Sequence, residues 1–186
     1  MNIRIEQIQD IAIIHDLTVA AFTSKQRSGK GEADLNNLLR ANGKLLLSLV
    51  AEIDSVVVGH VAFSPARIAL ERSERAEISD VYVVALGPIA VRPDMQRRGI
   101  GSQLILRGFE LLSAQGHELV FLLGHTWYYP RFGFVSAKPL GVRWSGDQSD
   151  GPNDHFMVKE LREGALAERL NGHNGIFYFA SEFDEV

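Results

Sequence analysis

Hydrophobic and polar positions change their spacing several times along this chain, and each change marks an element. Ile3 and Ile5 alternate with polar neighbours, which predicts a short strand. Over residues 10–22 the apolar positions Ile13, Ile14, Leu17, Ala20 and Ala21 recur at helical spacing. A polar, glycine-containing stretch over 23–31 reads as a loop, and 32–41 reads as a second helix ended by Asn42-Gly43. Residues 45–53 and 56–70 read as two strands, with Asp54-Ser55 short enough for a hairpin. A third long strand covers 78–91 and is interrupted at Gly87-Pro88. The next helix runs to about 115, with Leu104, Ile105, Leu111 and Leu112 on one face and Gly116 as its C-terminal cap. Residues 118–124 form a continuous apolar run, the mark of a strand covered on both faces. Strand, helix, strand in this order is a βαβ unit, so the strands ending at Val91 and Leu123 are expected to be parallel.

Beyond this unit the pattern is shorter in range. Residues 126–132 predict a short helix and Phe134 starts a strand. A polar loop covers 144–154, strands are expected over 155–161 and 175–183, and a helical turn over 166–170. The whole reads as an α/β (α+β) fold with a mixed central sheet flanked by helices.

The chain of 186 residues is 46% hydrophobic, enough for one globular domain with a real core. A net charge of −4 argues against a nucleic-acid binder. The absence of cysteine excludes disulfides, thiolate nucleophiles and zinc–thiolate sites. No His-x-x-x-His spacing occurs, so no metal site is expected. The N-terminal residues lack the basic and apolar regions of a signal peptide, and no apolar run is long enough to span a bilayer. A cytoplasmic protein without a membrane contact is the expectation, and a homodimer follows from frequency alone.

Charge becomes informative when it is read locally. From Arg92 to Arg107 there are four arginines against Asp94, a balance of +3. Within this segment, Gln96-Arg97-Arg98-Gly99-Ile100-Gly101-Ser102 joins the long strand to its helix. Glycine lets a ligand approach the backbone closely, and the first N–H groups of a helix have no partner inside it. The helix dipole and two adjacent arginines add positive charge, so a phosphate group is the natural occupant. A Rossmann-type dinucleotide site is a poor fit, because no glycine stands at position 104.

These residues also resemble a known family. Gln96 to Gly101 fits the acyl-CoA pyrophosphate signature of the GNAT N-acetyltransferase superfamily, and Ile89-Ala90-Val91-Arg92-Pro93 resembles the strand and turn before it. Tyr128-Tyr129-Pro130-Arg131-Phe132-Gly133-Phe134 resembles the family's second signature. The element order is similar over roughly the first 160 residues, and the likeness is to a bacterial branch of predicted N-acetyltransferases. The resemblance implies one acetyltransferase domain over 1–186, with an extension from about 162, and a GNAT-like sheet splayed between its two parallel strands.

It also implies acetyl-CoA as co-substrate, no metal, and direct transfer to an amine of a small molecule or protein. A chain without cysteine is consistent with that. The pyrophosphate would meet Gln96, Arg97, Arg98, Gly99, Ile100, Gly101 and Ser102, and the pantetheine arm would pair with Ile89, Ala90 and Val91. Gly87-Pro88 supplies a bend that frees this edge. Tyr129 matches the tyrosine that protonates the leaving thiolate, with Tyr128 as runner-up. The attacking amine, of pKa about 10, must lose a proton. Many relatives use a Glu for this, but Gly87 stands at that position. Asp80, Glu77, His60 and His125 are the titratable groups available, and His125, at the end of the strand after the helix, is the candidate. The alternative is a catalytically idle acyl-CoA-binding module that senses or scaffolds.

Overall fold

The computed structural model describes residues 1–23, 29–71, 80–147, 151 and 153–186. In chain order the elements are β1 (Asn2–Ile5), α1 (Ile11–Phe22), α2 (Lys30–Ala41), β2 (Leu47–Ile53), β3 (Val56–Leu70) and β4 (Asp80–Val91). There follow α3 (Ile100–Ala114), β5 (Leu119–Leu123), β6 (Val135–Ser136), β7 (Val142–Trp144), β8 (Phe156–Glu160), α4 (Ala165–Leu170) and β9 (Gly175–Tyr178). The fold is mixed α/β: the sheet is mostly antiparallel and contains the expected parallel pair β4–β5. Among the described residues no helix is long and apolar enough to cross a membrane.

The chain forms two compact units. The first comprises Met1–Ser64, Leu86–Leu112 and Ala180–Val186. Here β1 pairs antiparallel with β2, and β2 with β3. Asp54 and Ser55, at φ 49° and 63°, make the predicted two-residue hairpin. Helix α3 sits close to β3 because each supplies a glycine where the other presents a large side chain. A Cβ on Gly108 would lie 2.4 Å from Phe63 Cζ, and one on Gly59 would lie 2.9 Å from Ile100 Cγ2. Leu104, Ile105 and Leu112 are buried on the same helix, as its periodicity predicts.

The second unit comprises Pro65–Ala85 and Ser113–Phe179. β5 pairs antiparallel with β8, and β8 with β6. β9 pairs antiparallel with Arg67–Leu70 of β3 and parallel with β7. The run 119–122 is fully buried, as a strand covered on both faces requires. Phe121, Phe156 and Phe177 form its aromatic centre, with ring centroids 4.8 to 5.6 Å apart. Leu166 and Leu170 of α4 pack into the same cluster. Residues after 162 therefore supply a helix and a strand to this unit's core.

Several boundaries differ from expectation. α2 starts at Lys30, where Gly29 adopts φ 68° as its cap. β2 starts at Leu47, after Lys44 N–H has bonded back to Leu39 O at 2.7 Å. The helix expected over 126–132 is a single 3-10 turn, Tyr129–Phe132. Pro130 lacks an N–H and Gly133, at φ 83°, ends the turn. Trp144, expected in a loop, closes β7 by pairing with Phe177. The strand expected over 175–183 stops at Tyr178, and Ser181–Asp184 forms a 3-10 turn instead. Glu182 is turned inward there and accepts from Asn42 Nδ2 at 2.8 Å. The start of the third strand at Ile78, the candidate Glu77 and part of the loop over 23–31 lie outside the described residues.

Candidate functional site

The turn before α3 is built to leave its amides free. Arg97 stands at φ 61° and Gly99 at φ 80°. A Cβ on Gly99 would meet nothing within 4 Å, so glycine is there for its backbone angle, not for space. The first backbone bond of the helix runs from Gln103 N–H to Gly99 O, at 3.0 Å. Among the described residues, the N–H groups of Arg97, Arg98, Gly99, Ile100, Gly101 and Ser102 have no acceptor. Arg92 is neutralised by Asp94 at 2.6 Å, and Arg107 by Glu110 at 2.8 Å. The bond from Arg92 holds the Asp94 carboxyl below its ordinary pKa. Arg97 and Arg98 stay exposed without an ion pair among the described residues, and Arg98 braces the turn by donating to Asp94 O at 3.2 Å. Gln96 Nε2 donates to Val91 O at 3.1 Å, tying the turn to the end of β4. The local charge of +3 thus reduces in space to two arginines around a row of free amides.

The parallel ladder between β4 and β5 comprises Val84 with Val120 and Ala85 with Phe121. It ends before Gly87, as Gly87-Pro88 predicts, so Ile89, Ala90 and Val91 enter no pair with β5. Gly87 adopts φ 140°, a backbone state that L side chains rarely take. That angle accounts for a glycine where a Glu was expected from the family pattern.

The segment after β5 carries His125, Trp127, Tyr128, Tyr129 and Arg131. His125 is exposed, its ring 5.6 Å from that of Trp127. Its carbonyl accepts from Tyr128 N–H at 3.0 Å and Tyr129 N–H at 3.3 Å, which bends the chain into the turn. The Tyr129 ring is buried against Gly124 and meets Phe134 edge-on at 5.8 Å. Its hydroxyl makes no hydrogen bond among the described residues, yet it is not among the fully enclosed unpaired atoms. Burial pushes its pKa well above the ordinary tyrosine value, and the neighbouring Tyr128 adds to this, so it stays protonated at physiological pH. Trp127 and Arg131 were not singled out from the sequence. Their aromatic and cationic character is visible there, but their exposure is not.

Of the other groups considered as base, His60 lies wholly inside the first unit, with no exposed surface. Its Nε2 is 2.8 Å from Ser48 Oγ, while Glu6 Oε2 is further away, at 3.6 Å. Arg40 holds Glu6 with two bonds, at 2.7 and 2.9 Å. Burial alone would push Glu6 upward; bonds from Arg40, with His60 and Ser48 behind it, outweigh that and hold its carboxyl far below the usual range. Burial lowers the His60 pKa, against the opposing pull of Glu6. Asp80 is tied to Arg67 at 3.1 Å. Among the described residues, no group of three or more metal-ligating side chains could hold a metal ion.

Comparison with known proteins places these features in context. The model of the "Acetyltransferase (GNAT) family" matches residues 11–134. The N-acetyltransferase YhbS of Escherichia coli K12 is 34% identical over 187 residues, covering 99% of each chain. YjhQ of the same organism is 38% identical over 105 residues, 55% of each. The crystal structure of E. coli YhbS in complex with CoA superposes with a TM-score of 0.81 at 32% identity, over 98% of this chain and 91% of that one. A GNAT acetyltransferase from Brucella melitensis in complex with acetyl-CoA gives 0.72 at 33% identity, over 98% and 97%.

Proposed function

The chain belongs to the acetyltransferase (GNAT) family, and from that premise we propose that it transfers an acetyl group from acetyl-CoA to a primary amine by direct attack. The observation that carries this reading is the run of free amides from Arg97 to Ser102 at the start of α3, flanked by Arg97 and Arg98. Such a row fits a pyrophosphate, whose oxygens need several donors in a small space. The relatives crystallised with CoA and acetyl-CoA support the same ligand.

When bound, acetyl-CoA supplies a thioester activated toward amines. The chain's residues then have three tasks. Gln96 to Ser102 hold the diphosphate through N–H groups and guanidinium forks. Ile89, Ala90 and Val91 offer backbone groups that β5 does not use, and an extended amide-bearing arm pairs with such an edge. Tyr129 donates a hydrogen bond to the charge that grows on the departing sulfur. Its raised pKa makes full transfer to a thiolate of pKa about 8.5 an uphill step, so most of its effect is hydrogen bonding as the bond breaks. His125, exposed and with no hydrogen bond to its ring among the described residues, takes the proton from the amine. This reading treats residues 1–186 as one catalytic domain.

Gly87 favours a second reading. Where a Glu is the usual base, its absence suits a protein that binds acyl-CoA without turning it over. Calorimetric titration with CoA and thiol release across an amine panel separate the two. Binding with turnover supports the transferase, binding without turnover on any amine supports the sensor, and no binding removes both.

A further inference from the structure

Between Glu118 and Asp147 the chain has no acidic residue, and its bases there are Arg131, Lys138 and Arg143. Lys138 pairs with Asp147 at 3.3 Å, and Arg143 with Glu71 at 3.1 Å. Arg131 makes no ion pair among the described residues. It is exposed, lies over the Tyr128 ring at 4.8 Å, and touches the Trp127 carbonyl at 3.4 Å. Trp127 itself is 71% exposed, with His125 stacked on its ring and Tyr128 edge-on at 5.7 Å. A guanidinium without an ion pair among the described residues therefore lies over Tyr128, whose ring meets an exposed indole edge-on, next to Tyr129 in the chain.

We propose that the acceptor is an amine carrying both a planar aromatic ring and a carboxylate, the ring lying on Trp127 and the carboxylate on Arg131. A large aromatic face gains from covering by another ring. A cation would also suit an indole face, but Arg131 already puts a positive charge at the Trp127 carbonyl. That charge selects an anionic partner, and a carboxylate matches the planar fork of the guanidinium. The proposal rests on the acetyl-transfer reading, and it concerns Trp127 and Arg131, which that reading leaves without a role.

The test uses the full chain and four amines: L-phenylalanine, phenethylamine, L-alanine and ethylamine. These form a square in which ring and carboxylate are removed singly and together. The kcat/KM for thiol release is expected to be highest for L-phenylalanine. Trp127→Ala should shrink the L-phenylalanine to L-alanine ratio by roughly threefold to tenfold, through KM. Arg131→Gln should shrink the L-phenylalanine to phenethylamine ratio by about tenfold. Calorimetric binding of L-phenylalanine to the CoA-loaded protein is measured alongside, and is expected in wild type and weakened in each variant. Equal kcat/KM across the square overturns the proposal. So does a rise in the KM for acetyl-CoA alone in Arg131→Gln, which would assign the anion to the co-substrate. If no amine is turned over, acetyl transfer fails separately, and calorimetry still decides: L-phenylalanine binding retains the ring-and-carboxylate site, and no binding removes it.

Discussion

Ser48 Oγ lies 2.8 Å from His60 Nε2, and the same hydroxyl donates to Glu6. With its proton committed to the carboxylate, Ser48 accepts from His60, which fixes the neutral imidazole with hydrogen on Nε2. Nδ1 is then an enclosed acceptor with no partner. This network links the chain after β1 to α2, β2 and β3, and it gives the protein a pH-dependent stability.

Both titrating groups of the network have lowered pKa values when folded. The unfolded chain therefore binds protons more readily, and stability falls as pH falls. The His60 contribution is complete above its unfolded value of about 6.5 and declines below it, and the Glu6 contribution starts to be lost below about 4.3. Thermal melts at constant ionic strength should show a flat Tm above neutrality, a decline from about pH 6.5, and a steeper one below about 4.3. His60→Gln should remove the first decline. A Tm independent of pH between 5 and 7 in the wild type would contradict this.

Gly108 of α3 faces the Phe63 ring with no room for a side chain: a Cβ there would lie 2.4 Å from Phe63 Cζ. Gly108→Val should destabilise the protein by about 1–3 kcal/mol through overpacking, read as a lower denaturant midpoint. Because α3 carries the free amides at its start, the affinity for CoA should fall as well, in calorimetry under conditions where the variant is folded.

Gly101→Asp places a carboxylate among the free amides of the turn. CoA binding should be lost, because both bulk and charge oppose a phosphate there. Calorimetry on the folded variant is the check, and an affinity equal to wild type would exclude this turn as the phosphate site.

Gly87→Glu supplies the carboxylate that the family resemblance leads one to expect here. At φ 140° it should cost about 1–3 kcal/mol of backbone strain without raising turnover. Gly87→Ala should lose a similar amount of stability. Faster thiol release in Gly87→Glu would instead show that the base is what this position lacks.

Tyr129→Phe removes an oxygen with no hydrogen bond among the described residues, so the Tm should hardly move. Turnover should fall by roughly 10²-fold, the lower end of general acid effects, with CoA affinity unchanged. Tyr128→Phe, run in parallel, tests the neighbour. Full activity in both variants would remove tyrosine as the donor.

Most of the turn before α3 was legible in the sequence. Local periodicity named β3, α3 and β5, because each buries a face that its own spacing marks. The Gly-Ile-Gly turn and Gly87-Pro88 were legible because backbone angle is a property of the residue itself. The buried network was not. Glu6, Arg40, Ser48 and His60 are far apart in the chain, and as single polar residues each reads as surface. Only packing shows that they satisfy one another.

The sequence by itself determined the family, the order of most elements and the glycine turn that opens α3, all of which depend on neighbours within a few residues. The tertiary structure decided what distant residues settle together. It withdrew His60 from the candidate bases by burying it. It turned Glu182 inward onto Asn42 within the 3-10 turn Ser181–Asp184, where periodicity extended a strand. And it paired Arg143 with Glu71 and Lys138 with Asp147, leaving Arg131 without an ion pair among the described residues. Charge counted along a chain is a sum, whereas charge in a fold is what remains after the near neighbours in space have cancelled theirs.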